Sequence, residues 1–148
     1  MGIVRHFNKG QLWLIATAVF LAPLVWADNE ARVHYMLNCQ GCHLHNGAGS
    51  LDGEVPEMKD YVGNFLKVPE GREYLVQVPG SANAPLPDEE LANLLNWILL
   101  TIGRESTPAD FTPYTEDEVG TLRATSLTNV VELRSTLIER INKVLRSE

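Results

Sequence analysis

Three apolar patterns stand out along the chain. Leu12 to Trp26 is an uncharged, mostly apolar run, preceded only by the charges Arg5 and Lys9 and closing on Val25-Trp26-Ala27. Leu91, Leu94, Leu95, Ile98 and Ile102 recur at the spacing that lines one face of a helix. Val130, Leu133, Leu137, Ile141, Val144 and Leu145 do the same, opposite Glu132, Arg134, Glu139, Arg140 and Lys143, and predict an amphipathic helix over 128–148. Between these stretches, Gly47, Gly49 and Gly53 mark a turning loop, and Pro108 and Pro113 with repeated Thr and Ser punctuate 104–127. Thr115 and Glu118 have the form of a capping box for a short helix.

The first pattern is that of a secretory signal peptide: a basic start, an apolar core too short to span a bilayer comfortably, and a small residue at the exit. The expected division is a signal peptide at 1–27, a folded domain at 28–103, a linker at 104–127 and a helical extension at 128–148. Retention of the first segment would make it a membrane anchor instead. The whole chain of 148 residues carries 12 Lys plus Arg against 19 Asp plus Glu, a net charge of −7. That balance argues against binding nucleic acid, which needs a basic face to displace counterions from phosphates. Only two cysteines are present, too few for a disulfide-dense miniprotein or a four-cysteine zinc site.

A domain as small as 28–103 buries too little apolar surface to be comfortably stable alone. Cys39-Gln40-Gly41-Cys42-His43 offers a supplement. Two cysteines separated by two residues, with a histidine directly after, are the arrangement for covalent attachment of haem c. One helical turn brings both thiols to the two vinyl groups of a porphyrin and sets the imidazole under the iron. The alternatives are a thioredoxin-type redox pair, which needs a preceding strand where this sequence reads as helix; zinc, which lacks two further good ligands; and a structural disulfide.

The residues around this motif resemble the class I cytochromes c, over about Asn29 to Gly103. In that family a helix leads into the haem motif, with a small residue and an aromatic on the face that crosses the last helix; Ala31 and Tyr35 match those places. The last helix opens with an acidic turn and carries an aromatic, matched by Pro87-Asp88-Glu89-Glu90 and Trp97. A proline after the haem histidine gives its carbonyl to the imidazole N–H, a place filled by Pro56. The resemblance implies an all-α, small cytochrome c fold around one covalent haem c, held by Cys39 and Cys42 with His43 as an axial iron ligand, and with a C-terminal helical extension. The family also places a methionine shortly before the last helix. Val78 to Pro85 contains none. Met36, three residues before Cys39, reads as core filler. Met58 occupies a place where the family has a leucine on the histidine side. The sixth position is therefore left among Met58, a weaker ligand such as Asn83 or water, and an open iron. His34 and His45 read as surface residues.

The expected function is periplasmic electron transfer, one electron at a time, between redox partner proteins whose docking surfaces are basic, with no enzymatic activity of its own. The alternative is a haem sensor, gas-binding protein or small peroxidase with an open sixth position, or a haem subunit of a larger oxidoreductase complex. With the signal removed there is no stable membrane span. The C-terminal helix either folds back onto the domain or docks a partner.

Overall fold

The structure, a computed structural model, describes residues 29–50 and 54–147; the expected signal peptide at 1–27 lies outside them. Among the described residues every regular element is helical, as the resemblance implies. Helix α1 (29–38) leads into the single turn α2 (Gln40–His43). A 3₁₀ helix (Val62–Lys67) precedes α3 (Gly71–Gln77) and the short α4 (Pro79–Ala82). Then come α5 (Asp88–Trp97), α6 (Glu116–Arg123) and α7 (Val130–Leu145).

Helix α5 starts after Pro87 with Asp88, Glu89 and Glu90 in its first turn, where the helix dipole favours negative charge. It ends in a π turn, Ile98–Ile102, closed by a 2.9 Å bond from the Gly103 N–H to the Ile98 carbonyl. The expected apolar face is real: Leu91, Leu94, Leu95, Ile98 and Ile102 are all buried. So are Ala31 and Tyr35 on α1, and the Tyr35 and Trp97 rings meet with centroids 5.4 Å apart where α1 crosses α5.

Residues 104–127 do not behave as a linker. Ser106 Oγ accepts from the Gly63 N–H and donates to the Gly103 carbonyl, and Thr107 Oγ1 donates to the Leu99 carbonyl. Asn96 makes a reciprocal pair with the Tyr114 backbone, at 2.7 and 3.0 Å, and the buried Tyr114 hydroxyl donates to the Arg72 carbonyl. Helix α6 then packs on α5 and α3. The reason for the difference is that this stretch is bound by hydrogen bonds to backbone, which leave no apolar period to read.

Helix α7 folds back. Leu137 and Ile141 are completely buried, and the helix packs against the 3₁₀ helix, with Arg140 paired to Glu70 at 2.8 Å. Two smaller expectations are corrected. Met36 is no core filler: its side of α1 faces solvent and half of the residue is exposed. His34 is mostly buried, not on the surface, with its Nε2 3.2 Å from a Glu90 carboxylate oxygen. His45 is exposed.

Candidate haem site

The turn α2 is wound by bonds from the Cys42 and His43 N–H groups to the Cys39 carbonyl and from Leu44 N–H to the Gln40 carbonyl. It stops at Leu44, whose φ of 63° lies in the left-handed region that a leucine rarely adopts. The Tyr35 hydroxyl donates a 2.6 Å hydrogen bond to the Leu44 carbonyl and holds it in place. Burial, with the neighbouring Cys39 thiol second, pushes the Tyr35 phenol up to about 12, so it remains a donor. Burial also pushes the Cys39 thiol up, to about 11, with Cys42 contributing second. Neither cysteine is in a disulfide.

The chain after the turn comes back on itself. The Gly49 N–H reaches the His43 carbonyl, Ser50 N–H the Val55 carbonyl, and Val55 N–H the Ser50 hydroxyl. Gly49 has φ 71°, and a Cβ there would run into the Val55 carbonyl oxygen and lie 2.8 Å from the Pro56 carbonyl carbon. Glycine thus permits the close approach that places the Pro56 carbonyl 3.1 Å from His43 Nδ1. A carbonyl can only accept, so Nδ1 carries the proton and Nε2 keeps its lone pair. Burial holds the imidazole below its ordinary pKa, against the opposing pull of the Pro56 carbonyl, which keeps the ring neutral as a metal ligand must be.

Cys39, Cys42, His43 and Pro56 all line one cavity of about 600 Å³. Ligand cavities commonly fall between roughly 300 and 1,000 Å³. The apolar floor comes from Leu91, Leu94, Leu95, Ile98 and Leu99 of α5 and its π turn, and Val62 and Phe65 of the 3₁₀ helix join it. Residues drawn from 74–84 and the first turns of α7 add to the lining, with Asn38, Glu54, Val55 and Glu57 on the side of the motif. Tyr35 and Trp97 are not in it; they support it from behind, through the helix crossing and the Leu44 bond. An apolar slot with two free thiols and a neutral, oriented imidazole suits a haem, whose plate is apolar and whose iron takes an imidazole nitrogen. Met58 also lines the cavity, but its backbone N–H bonds to the Gly47 carbonyl at 2.7 Å, which ties it to the loop that carries His43.

The sequence did not point to Arg123. Its guanidinium, from α6, donates to the carbonyls of Ala82, Ala84 and Leu86 and to Asp88 at the start of α5. The turn between α4 and α5, beside the cavity, is thereby fixed from outside. Nothing in the local pattern around Arg123 announces this, since its partners are backbone carbonyls about forty residues away.

No family profile matches the chain, and no solved structure matches it significantly. Two characterised proteins do. One cytochrome c-552 of Thermus thermophilus is 36% identical over 74% of this chain and 85% of its own length. A second cytochrome c-552 of Thermus thermophilus is 36% identical over 61% of this chain and 82% of its own length. With the haem motif, the oriented histidine and the helical slot in one place, this similarity shows that the chain belongs to the class I c-type cytochromes, electron-transfer proteins that carry haem c.

Proposed function

We propose that the protein is an exported, periplasmic carrier of single electrons, with one haem c bound covalently through Cys39 and Cys42 and His43 as an axial ligand of the iron. The observation that carries this reading is the placement of both thiols and the Pro56-locked imidazole on the wall of one apolar cavity. The haem supplies a one-electron couple in a site that rearranges little on reduction. The chain's own part is to hold the plate against α5, to fix the imidazole tautomer through Pro56 and to exclude water with its apolar floor. The net acidic surface suits basic docking faces on redox partners and makes association weaken with salt. Among the described residues no helix is long and apolar enough to cross a membrane.

The test is expression of the full chain with a haem c maturation system, followed by mass spectrometry and a reduced alkaline pyridine spectrum. The expected result is one haem of added mass that survives denaturation. A pyridine spectrum shifted toward that of a single thioether is expected for Cys39→Ser or Cys42→Ser. Haem lost on acid extraction from the wild type would overturn covalent attachment.

A further inference from the structure

The cavity lining on the α3–α4 side contrasts with the His43 side. It is made by Tyr74 and Leu75 of α3, then Val78, Gly80, Ser81 and Ala84. None of these carries a thioether or imidazole, and the one haem-ligating group among them, the Tyr74 phenol, is kept protonated by burial and so is a poor iron ligand. The loop is also not free to bring one in, since Arg123 grips the carbonyls of Ala82, Ala84 and Leu86. The remaining soft donor in the lining, Met58, is tied to the loop of His43 itself.

Tyr74 adds an independent observation. The residue is only 6% exposed, its ring stacks on Phe65 with centroids 5.1 Å apart, and it lines the cavity. Its hydroxyl makes no hydrogen bond to any described residue. The hydroxyls of the buried Tyr35 and Tyr114 both do. A phenol on the cavity wall without a protein partner is available to donate its hydrogen bond to a ligand held in the cavity. Burial raises the Tyr74 phenol above its ordinary range, against the opposing pull of nearby Arg134, so it stays protonated and able to donate.

We infer that the protein binds a small exogenous ligand, a diatomic gas or a small anion with a hydrogen-bond-accepting end, at the sixth position of its haem iron, with Tyr74 as the hydrogen-bond donor in the cavity. This rests on the haem assignment above and deepens it: the carrier is also a ligand-binding protein, and ligand occupancy shifts its redox equilibrium.

The experiment uses the haem-loaded full chain. Carbon monoxide is added to the reduced protein and azide to the oxidised protein, near neutral pH, with absorption and resonance Raman as readouts. Wild type is expected to be high-spin or water-ligated when oxidised, and to bind both probes without prior unfolding. Tyr74→Phe keeps the ring and its stacking, and is expected to weaken azide about tenfold and to shift the stretching frequency of bound carbon monoxide. If haem-loaded wild type refuses carbon monoxide and shows a sulfur-to-iron band that Met58→Ala abolishes, Met58 is the sixth ligand and the inference is overturned. If both probes bind but Tyr74→Phe changes neither readout, the assignment of Tyr74 is overturned. A matured chain without covalent haem fails the reading under the proposed function, which is separable because the pyridine spectrum alone reports it.

Discussion

At the scale of single residues, the site depends on two backbone conformations that side chains disfavour. Leu44 tolerates a φ of 63° because the Tyr35 hydroxyl holds its carbonyl. Tyr35→Phe removes that bond without changing packing and is expected to cost about 1 kcal/mol in urea denaturation. Gly49 matters more to the iron. Gly49→Ala combines a left-handed φ, costing roughly 1–2 kcal/mol for an L-residue, with a Cβ driven against Val55 and Pro56 backbone. Backbone cannot swing aside as a side chain does, so the strand of chain carrying Pro56 must move outward and lengthen its bond to His43 Nδ1. A histidine that loses this acceptor donates less electron density to its metal. The expected outcome is a lower urea midpoint together with a higher reduction potential in a redox titration. A fall in stability at unchanged potential would show that Pro56 follows His43 after the mutation. The haem motif is a local signal in the sequence, and the place of Pro56 followed from the resemblance to the class I cytochromes c. The glycine's role is a matter of tertiary approach and could not be read there.

At the scale of elements, α6 is the one whose importance sequence patterns hid. Its cap is only half of the expected box: Thr115 Oγ1 accepts from the Glu118 N–H, but the Glu118 carboxylate turns away to a forked pair with Arg72, at 2.5 and 2.8 Å. That hydrogen-bonded pairing, ahead of the opposing effect of burial, holds the Glu118 carboxyl below its usual range. A depressed carboxyl contributes stability that is fully present above the unfolded value, about 4.3 for Glu, and is lost as pH falls through the folded value. Glu118→Gln is therefore expected to cost about 1 kcal/mol at pH 7, modest because the pair is partly solvated. The gap to wild type should close below about pH 4, which denaturation at several pH values would check. Arg123 carries more. Arg123→Ala would strip three carbonyls and Asp88 of their donor, with an expected cost of about 3 kcal/mol; Arg123→Lys should recover only part, since an ammonium cannot fork to several acceptors. These two arginines explain why 104–127 reads as a linker. A helix pinned by ionic and backbone bonds at distant points, with Val119 as its one fully buried apolar residue, shows too short an apolar stripe for periodicity to detect. Helix α5, which does pack by its stripe, was legible, though not the π turn over Ile98–Ile102 that ends it.

For the whole molecule, the issue is how so small a body closes a cavity of about 600 Å³. Helix α5 and its π turn give the floor, and α2 with the Pro56 loop gives the wall that bears the motif. The opposite rim is completed by the first turns of α7, through Val130, Val131, Arg134 and Ser135. Two registers of the same helix thus have separate tasks: its start meets the cavity, while Leu137 and Ile141, farther along, are completely buried against the body. Burial of two large aliphatic side chains outweighs the half-exposed pair between Arg140 and Glu70, because exposed ion pairs contribute little in water. The consequence is testable without cutting the chain. Leu137→Ala is expected to destabilise the haem-loaded protein by about 2–5 kcal/mol, whereas Arg140→Ala should change stability by less than about 0.5 kcal/mol. Since the first turns of α7 are held in place by that buried contact, Leu137→Ala should also quicken carbon monoxide entry while leaving His43, the proposed axial ligand, untouched. Urea denaturation and flash photolysis on the same samples separate the two effects. A helix that only brushed the body would show a loss no larger than a surface substitution gives, and then the rim of the cavity could not depend on it.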